Sequence, residues 1–152
     1  MTSENHYNME PVGRILSKVG KMSQERLQMK LSHLDIDRSF YPLILIYSRN
    51  GMTQQDLADE LSVDKVQVVR IIDYLSENGY VQRVMNPHDR RKYQLTVNEK
   101  AGKVMPQIKQ AINEVTNDIF EGFSSDEIDK IYDMLGKMER NLLCQKFKII
   151  NL

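Results

Sequence analysis

Residues 53–79, TQQDLADELSVDKVQVVRIIDYLSENG, admit few folds. Thr53 with Asp56 three positions on forms a capping box, and Leu57, Ala58 and Leu61 supply the inner face of a short helix. Asp64 with Gln67 resembles a second box. Val68, Ile71, Ile72 and Leu75 then recur at helical spacing until Gly79 stops the run. Only Ser62 and Val63 separate the two helices. A short helix, a tight turn and a longer helix with a clean apolar stripe are the plan of a helix-turn-helix unit.

After Gly79 the period changes. YVQRV places Val81, with Arg83 and Met85, on one face, and KYQLTV alternates Tyr93, Leu95 and Val97. MNPHDR between them supplies Asn, Pro and Asp, so this segment predicts a β-hairpin whose tip carries Arg90, Arg91 and Lys92 behind one Asp89. The chain as a whole has a formal net charge of +0, which excludes a polycationic binder. Its cations are nevertheless clustered: residues 81–103 hold Arg83, Arg90, Arg91, Lys92, Lys100 and Lys103 against Asp89 and Glu99. Acids gather later, at Asp118, Glu121, Asp126, Glu127, Asp129 and Asp133. Such segregation permits local anion binding in a neutral chain. A helix fits the major groove of DNA, and a hairpin can carry a cation over the backbone into the minor groove.

Helices are predicted on both sides. Val12, Ile15, Leu16, Val19 and Met22 stripe a first helix running toward Leu34. Ser39 can cap the apolar FYPLILIYS helix, with Pro42 harmless in its first turn and Gly51 of RNG ending it. Asn98 is a candidate N-cap for a long helix carrying Val104, Ile108, Ile112, Val115 and Ile119. Ser124 with Glu127 boxes a last one striped by Ile128, Ile131, Tyr132, Leu135, Met138 and Leu142. These outer helices carry more apolar face than a small helix-turn-helix core can cover, so a homodimer is expected. At 152 residues, 41% hydrophobic and 28% charged, the chain reads as one soluble folding unit. No apolar run approaches the roughly 18 residues of a membrane span. The start, MTSENHYNME, lacks the basic and apolar regions of a secretory signal, and the single Cys144 suits a reducing compartment, so a cytoplasmic location is expected.

In the order and spacing of its parts, LSVDKVQVVRIIDYLSENGYVQRVMNPHDRRKYQLTVNEKAGKV, residues 61–104, resembles the MarR family of winged helix-turn-helix bacterial transcriptional regulators, including that family's DRR wing signature. The resemblance implies a mainly α fold with a small β-hairpin wing. The winged helix-turn-helix would occupy residues 37–97, and the dimerisation helices residues 8–35 and 98–148. It implies a homodimer on double-stranded operator DNA, acting more as repressor than activator. Lys65, Val66, Gln67, Val69, Arg70 and Tyr74 would approach DNA from the recognition helix, and Asp89, Arg90, Arg91 and Lys92 from the wing. Asp89 would brace Arg91 for minor-groove insertion. Val66 and Val69 depart from the Ser or Thr usual in relatives, and point to thymine methyls. Ala101 replaces a glycine common in relatives.

The same resemblance implies a small, phenolic or anionic effector between the dimerisation helices and the winged helix, where Arg14, His33, Arg38, Tyr41 and Tyr47 are candidates. The peroxide-sensing branch carries a cysteine near its N-terminus, which this sequence lacks, and Cys144 reads as a small hydrophobe in the last helix. His6, His33 and His88 have no partners at metal-ligand spacing, and no phosphate-cradling glycine loop or nucleophile motif is present. No catalytic residue, metal or cofactor is therefore expected. The alternative is a winged helix that binds protein through the same surface; it would need neither wing arginines nor a steep salt dependence.

Overall fold

A computed structural model describes the backbone of residues 10–149 and side chains as far as residue 144. His6 lies outside the described residues. In chain order the elements are α1 (Val12–Lys30), α2 (Phe40–Ser48), α3 (Gln54–Leu61), α4 (Lys65–Glu77), β1 (Val81–Asn86), β2 (Asp89–Val97), α5 (Glu99–Ile119) and α6 (Ser125–Ile149). The fold is mainly α with a two-stranded antiparallel hairpin after the helix-turn-helix, the winged-helix plan. No described helix is long and apolar enough to cross a membrane.

The chain divides into two compact units, residues up to Val115 and residues from Thr116. The core explains the division. Its buried apolar residues run from Leu27 to Val115, and no described residue from Thr116 onward is buried. Within the first unit Leu43, Ile46, Leu57, Val68, Ile72, Leu75, Leu95 and Ile108 are fully buried in one cluster. Each such side chain contributes about 1.5–3 kcal/mol by leaving water.

Local chemistry fixes the helix ends. Thr53 Oγ1 accepts from the Asp56 N–H at 3.1 Å while the Asp56 carboxylate accepts from the Thr53 N–H at 2.7 Å, a complete capping box. Hydrogen bonds from Thr53 hold the Asp56 carboxyl below the usual carboxylate range. Asp64 caps α4 one way only, accepting from the Gln67 N–H at 2.8 Å without a return bond from the Gln67 side chain. Ser124 and Glu127 make the expected third box at α6.

Between α3 and α4, Ser62 turns through the left-handed region at φ 53°, and the Val63 N–H bonds back to the Ala58 carbonyl. α4 ends in a full Schellman motif at Gly79 (φ 78°), with the Tyr80 N–H on the Leu75 carbonyl and the Gly79 N–H on the Ser76 carbonyl. Tyr80 and Leu75 are both buried beneath it.

Several details differ from expectation. α1 stops at Lys30 rather than running toward Leu34, because Leu31, Ile36 and Phe40 turn inward to the core. Ser39 stands at the N-cap of α2 but makes no side-chain cap bond; it is itself buried. Asn98 does not cap α5 with its side chain; Nδ2 donates instead to the Gly79 carbonyl at 3.2 Å, tying the base of the hairpin to the end of α4. Pro106 lies inside α5, which continues through it, with Gly102 at the position four residues earlier where the lost hydrogen bond would end. Cys144 is exposed on α6 rather than packed as a small hydrophobe.

Candidate nucleic-acid interface

α4 buries Val68, Ile72 and Leu75 and turns Lys65, Val66, Gln67 and Arg70 to solvent, while Val69 is half-buried. Tyr74 is set differently from these. It is partly buried, and that burial, with the nearby charges of Asp37 and Asp35, pushes its hydroxyl above the usual phenol range.

The hairpin is longer than its sequence pattern implies. β2 starts at Asp89, so the three cations lie on a strand and not in the turn, which is Pro87 and His88. Pairing is regular from Val81↔Val97 to Met85↔Tyr93 and then jumps to Asn86↔Asp89. Arg90, Arg91 and Lys92 are the residues that the jump leaves without a partner on β1. A bulge of this kind re-aims side chains away from the ladder. All three are exposed, and none has an ion-pair partner among the described residues. Asp89 braces this segment through the backbone: its Oδ1 accepts from the Arg91 N–H at 3.0 Å and leaves the guanidinium free. Asn86 Oδ1 does the same for the His88 N–H at 2.9 Å.

Helix and wing meet in a cleft of about 600 Å³ lined by Lys65 at the start of α4, by Arg91, Lys92 and Tyr93 of β2, and by Thr53, Gln54, Gln55, Asp56 and Ala58 at the start of α3. Three cations thus share its walls with one carboxylate, and that carboxylate is engaged with Thr53. Gln54 and Gln55 were not singled out from sequence, although a helix N-terminus following a turn is a recurrent phosphate contact.

Two supports of this arrangement were also not legible. Residues 51–53 are tied to β2 by an isolated bridge: the Gly51 N–H bonds to the Leu95 carbonyl at 2.9 Å, the Leu95 N–H to the Met52 carbonyl at 2.8 Å, and Thr53 pairs with Gln94. Gly51 reaches this position at φ 94°. Arg83, though exposed, reaches α4, with Nη2 2.7 Å from Asp73 Oδ1, so an ion pair links the wing to the helix.

The residues expected around an effector fall into separate places. Arg38 and Tyr41 line one cleft of about 400 Å³ with Leu27, Phe40, Val63 and Ile71. His33 lies elsewhere, sharing a 2.8 Å hydrogen bond with Gln107 in a cleft with Lys30 and Glu114. Arg14 pairs with Glu10 on α1 at 3.0 Å, and Tyr47 is exposed. No group of three or more described His, Cys, Asp or Glu residues is placed to hold a metal ion.

The MarR family model matches residues 38–93, from the turn before α2 to the cations of the wing. The curated HTH-type transcriptional regulator BilQ of Clostridioides difficile (strain CD3) is 32% identical over 92 residues, which span 60% of this chain and 62% of that protein. Among solved structures, a MarR transcriptional regulator from Methanosarcina mazei Go1 is similar with a TM-score of 0.80 at 29% identity, over 87% of this chain and 96% of that one. A mutant MarR from E. coli complexed with operator DNA is similar with a TM-score of 0.78 at 27% identity, over 84% and 93%. The family model, the curated relative and these solved structures agree with one another, and together they support the MarR family for this chain.

Proposed function

We propose that this chain is a sequence-specific DNA-binding transcriptional regulator, acting as a homodimer and more as repressor than activator. The observation that carries the reading is the shared cleft in which Lys65 of α4 meets Arg91 and Lys92 of the wing. The E. coli relative complexed with operator DNA supports it. Residues 37–97 would form the DNA-binding part, with Lys65, Val66, Gln67, Val69, Arg70 and the half-buried Tyr74 toward the major groove, and Arg90, Arg91 and Lys92, behind Asp89, toward phosphates or a narrow minor groove. Residues 8–35 and 98–148 would form the dimerisation part. Val12, Ile15, Leu16, Val19 and Met22 on α1 are exposed, as are Tyr132, Leu135, Met138 and Leu142 on α6, and each stripe calls for a cover. A two-fold axis would then set half-sites about 10 bp apart.

Effector binding belongs to the same proposal. The cleft holding Arg38 and Tyr41 combines apolar walls with a cation and a phenol, which suits a small aromatic acid. Such a ligand regulates only if its affinity differs between DNA-competent and incompetent states.

The test is selection of duplexes from a randomised pool at near-physiological salt, followed by titration of wild type and Arg91→Ala. Enrichment of an inverted repeat, with weaker binding by a folded Arg91→Ala, is the expected result. A winged helix that serves a protein partner would enrich no sequence, and its weak attraction to DNA would be indifferent to Arg91.

A further inference from the structure

We infer that Val66 is a specificity-determining residue that packs on the 5-methyl group of a thymine in the major groove, beside an adenine edge taken by Gln67. This deepens the DNA-binding reading and rests on it. Val66 is the second residue of α4 and is 62% exposed, on the side away from Val68, Ile72 and Leu75. A β-branched apolar residue at an exposed helix position gains nothing from helix propensity or from the core. Its exposed neighbours on α4 are polar: Lys65 precedes it, Gln67 follows it, and Arg70 stands one turn on, while Val69 beside it is half-buried. An apolar knob framed by cations fits a surface that is anionic at its rim and carries isolated methyl groups within. The major groove of a thymine-containing duplex is such a surface. A hydrophobic protein partner would leave Lys65 and Arg70 uncompensated.

Gln67 completes the pair. Its backbone N–H is occupied by the Asp64 cap, but its side-chain amide makes no hydrogen bond among the described residues, so both of its ends remain open to the N6 and N7 edge of adenine. Both residues lie in the first turn of α4, the part of a recognition helix that meets base edges.

Deoxyuridine isolates the methyl group, because it keeps every hydrogen-bonding atom of thymine and lacks only that carbon. A duplex recovered from the randomised pool is resynthesised with single deoxyuridines scanned across one half-site and then placed symmetrically in both. Wild type is expected to weaken at one scanned position by about four-fold, and by about 15-fold when both half-sites are changed, the value of one buried methyl taken once and twice. Val66→Ser, checked for wild-type thermal stability, should bind the thymine duplex more weakly and change less than about two-fold on deoxyuridine substitution, as the methyl contact is already gone. Wild-type indifference at every position overturns the inference while leaving DNA binding intact. Equal sensitivity in Val66→Ser also overturns it and moves the contact elsewhere, with Val69 the next residue to examine. Failure to recover any duplex removes the DNA-binding reading and this inference together.

Discussion

Lys100, in the first turn of α5, makes three contacts with parts of the chain remote in sequence. Its Nζ donates to the Asn78 carbonyl at 2.7 Å, lies 4.3 Å from the centroid of the buried Tyr80 ring, and stands 3.7 Å from Asp35 Oδ2. Asn98 adds bonds to the next two carbonyls, from its side chain to Gly79 and from its N–H to Tyr80. Three successive carbonyls at the end of α4 are thus held by the start of α5. Replacing Lys100 by Met keeps the stem and removes the charge. The hydrogen bond is half-solvated, since the Lys100 side chain is 43% exposed, and is worth about 1 kcal/mol. The cation–π contact contributes about 0.5–1 kcal/mol. Asp35 is 72% exposed and its long ion pair contributes close to nothing. Lys100→Met should therefore destabilise by about 1.5–2 kcal/mol, read as a shift in the urea midpoint at unchanged slope and a fall in Tm of about 3–7 °C at fixed protein concentration. Asp35→Asn should change stability by less than about 0.3 kcal/mol. If Lys100→Met is as stable as wild type, or if Asp35→Asn matches it, the clamp reasoning is wrong.

Acidification provides a second check. Because Thr53 lowers the Asp56 pKa in the folded state, the stabilisation is fully present above the unfolded value of about 4 and fades as pH falls through and below it toward the folded value. Urea midpoints measured from pH 6 to pH 3 should decline less steeply in Asp56→Asn than in wild type, and an identical slope would exclude Asp56 as a contributor. Thr53→Ala, which removes the hydroxyl half of the box, should cost about 1 kcal/mol at pH 7. Pro106→Ala restores an N–H facing the Gly102 carbonyl inside α5 and should stabilise by about 1–3 kcal/mol, offset in part by a freer unfolded chain. A thermal melt that is unchanged or lower would mean that α5 requires the proline geometry.

Much of the winged helix was legible because its signals are local. The Thr53 and Ser124 boxes, the left-handed Gly51 and Gly79, and the stripe of Val68, Ile72 and Leu75 each depend on residues within one or two turns, and each appears where spacing placed it. What failed has a cause outside the local sequence, although Ser39 and Asn98 are good cap residues by type. Burial diverts the first, and the carbonyl of Gly79, 19 positions away, captures the second. Of the effector candidates, only Arg38 and Tyr41 line the same cleft, since periodicity groups residues on one helix face but does not record which residues of different elements meet in a cleft.

The sequence by itself determined the element order, the helix boundaries set by caps and glycines, the hairpin after α4, and a basic cluster within a neutral chain, because periodicity and turn chemistry act over a few residues. Only the tertiary structure decided that Arg90, Arg91 and Lys92 sit in a register jump, that Asp89 holds a backbone amide rather than a guanidinium, that Arg83 pairs with Asp73, and that residues 51–53 bridge to β2. Each of these depends on which strand residue lies opposite which, or on a partner at least ten positions away in the chain, with the exception of Asp89. For Asp89 the choice between two neighbouring donors was made by the backbone path through the bulge.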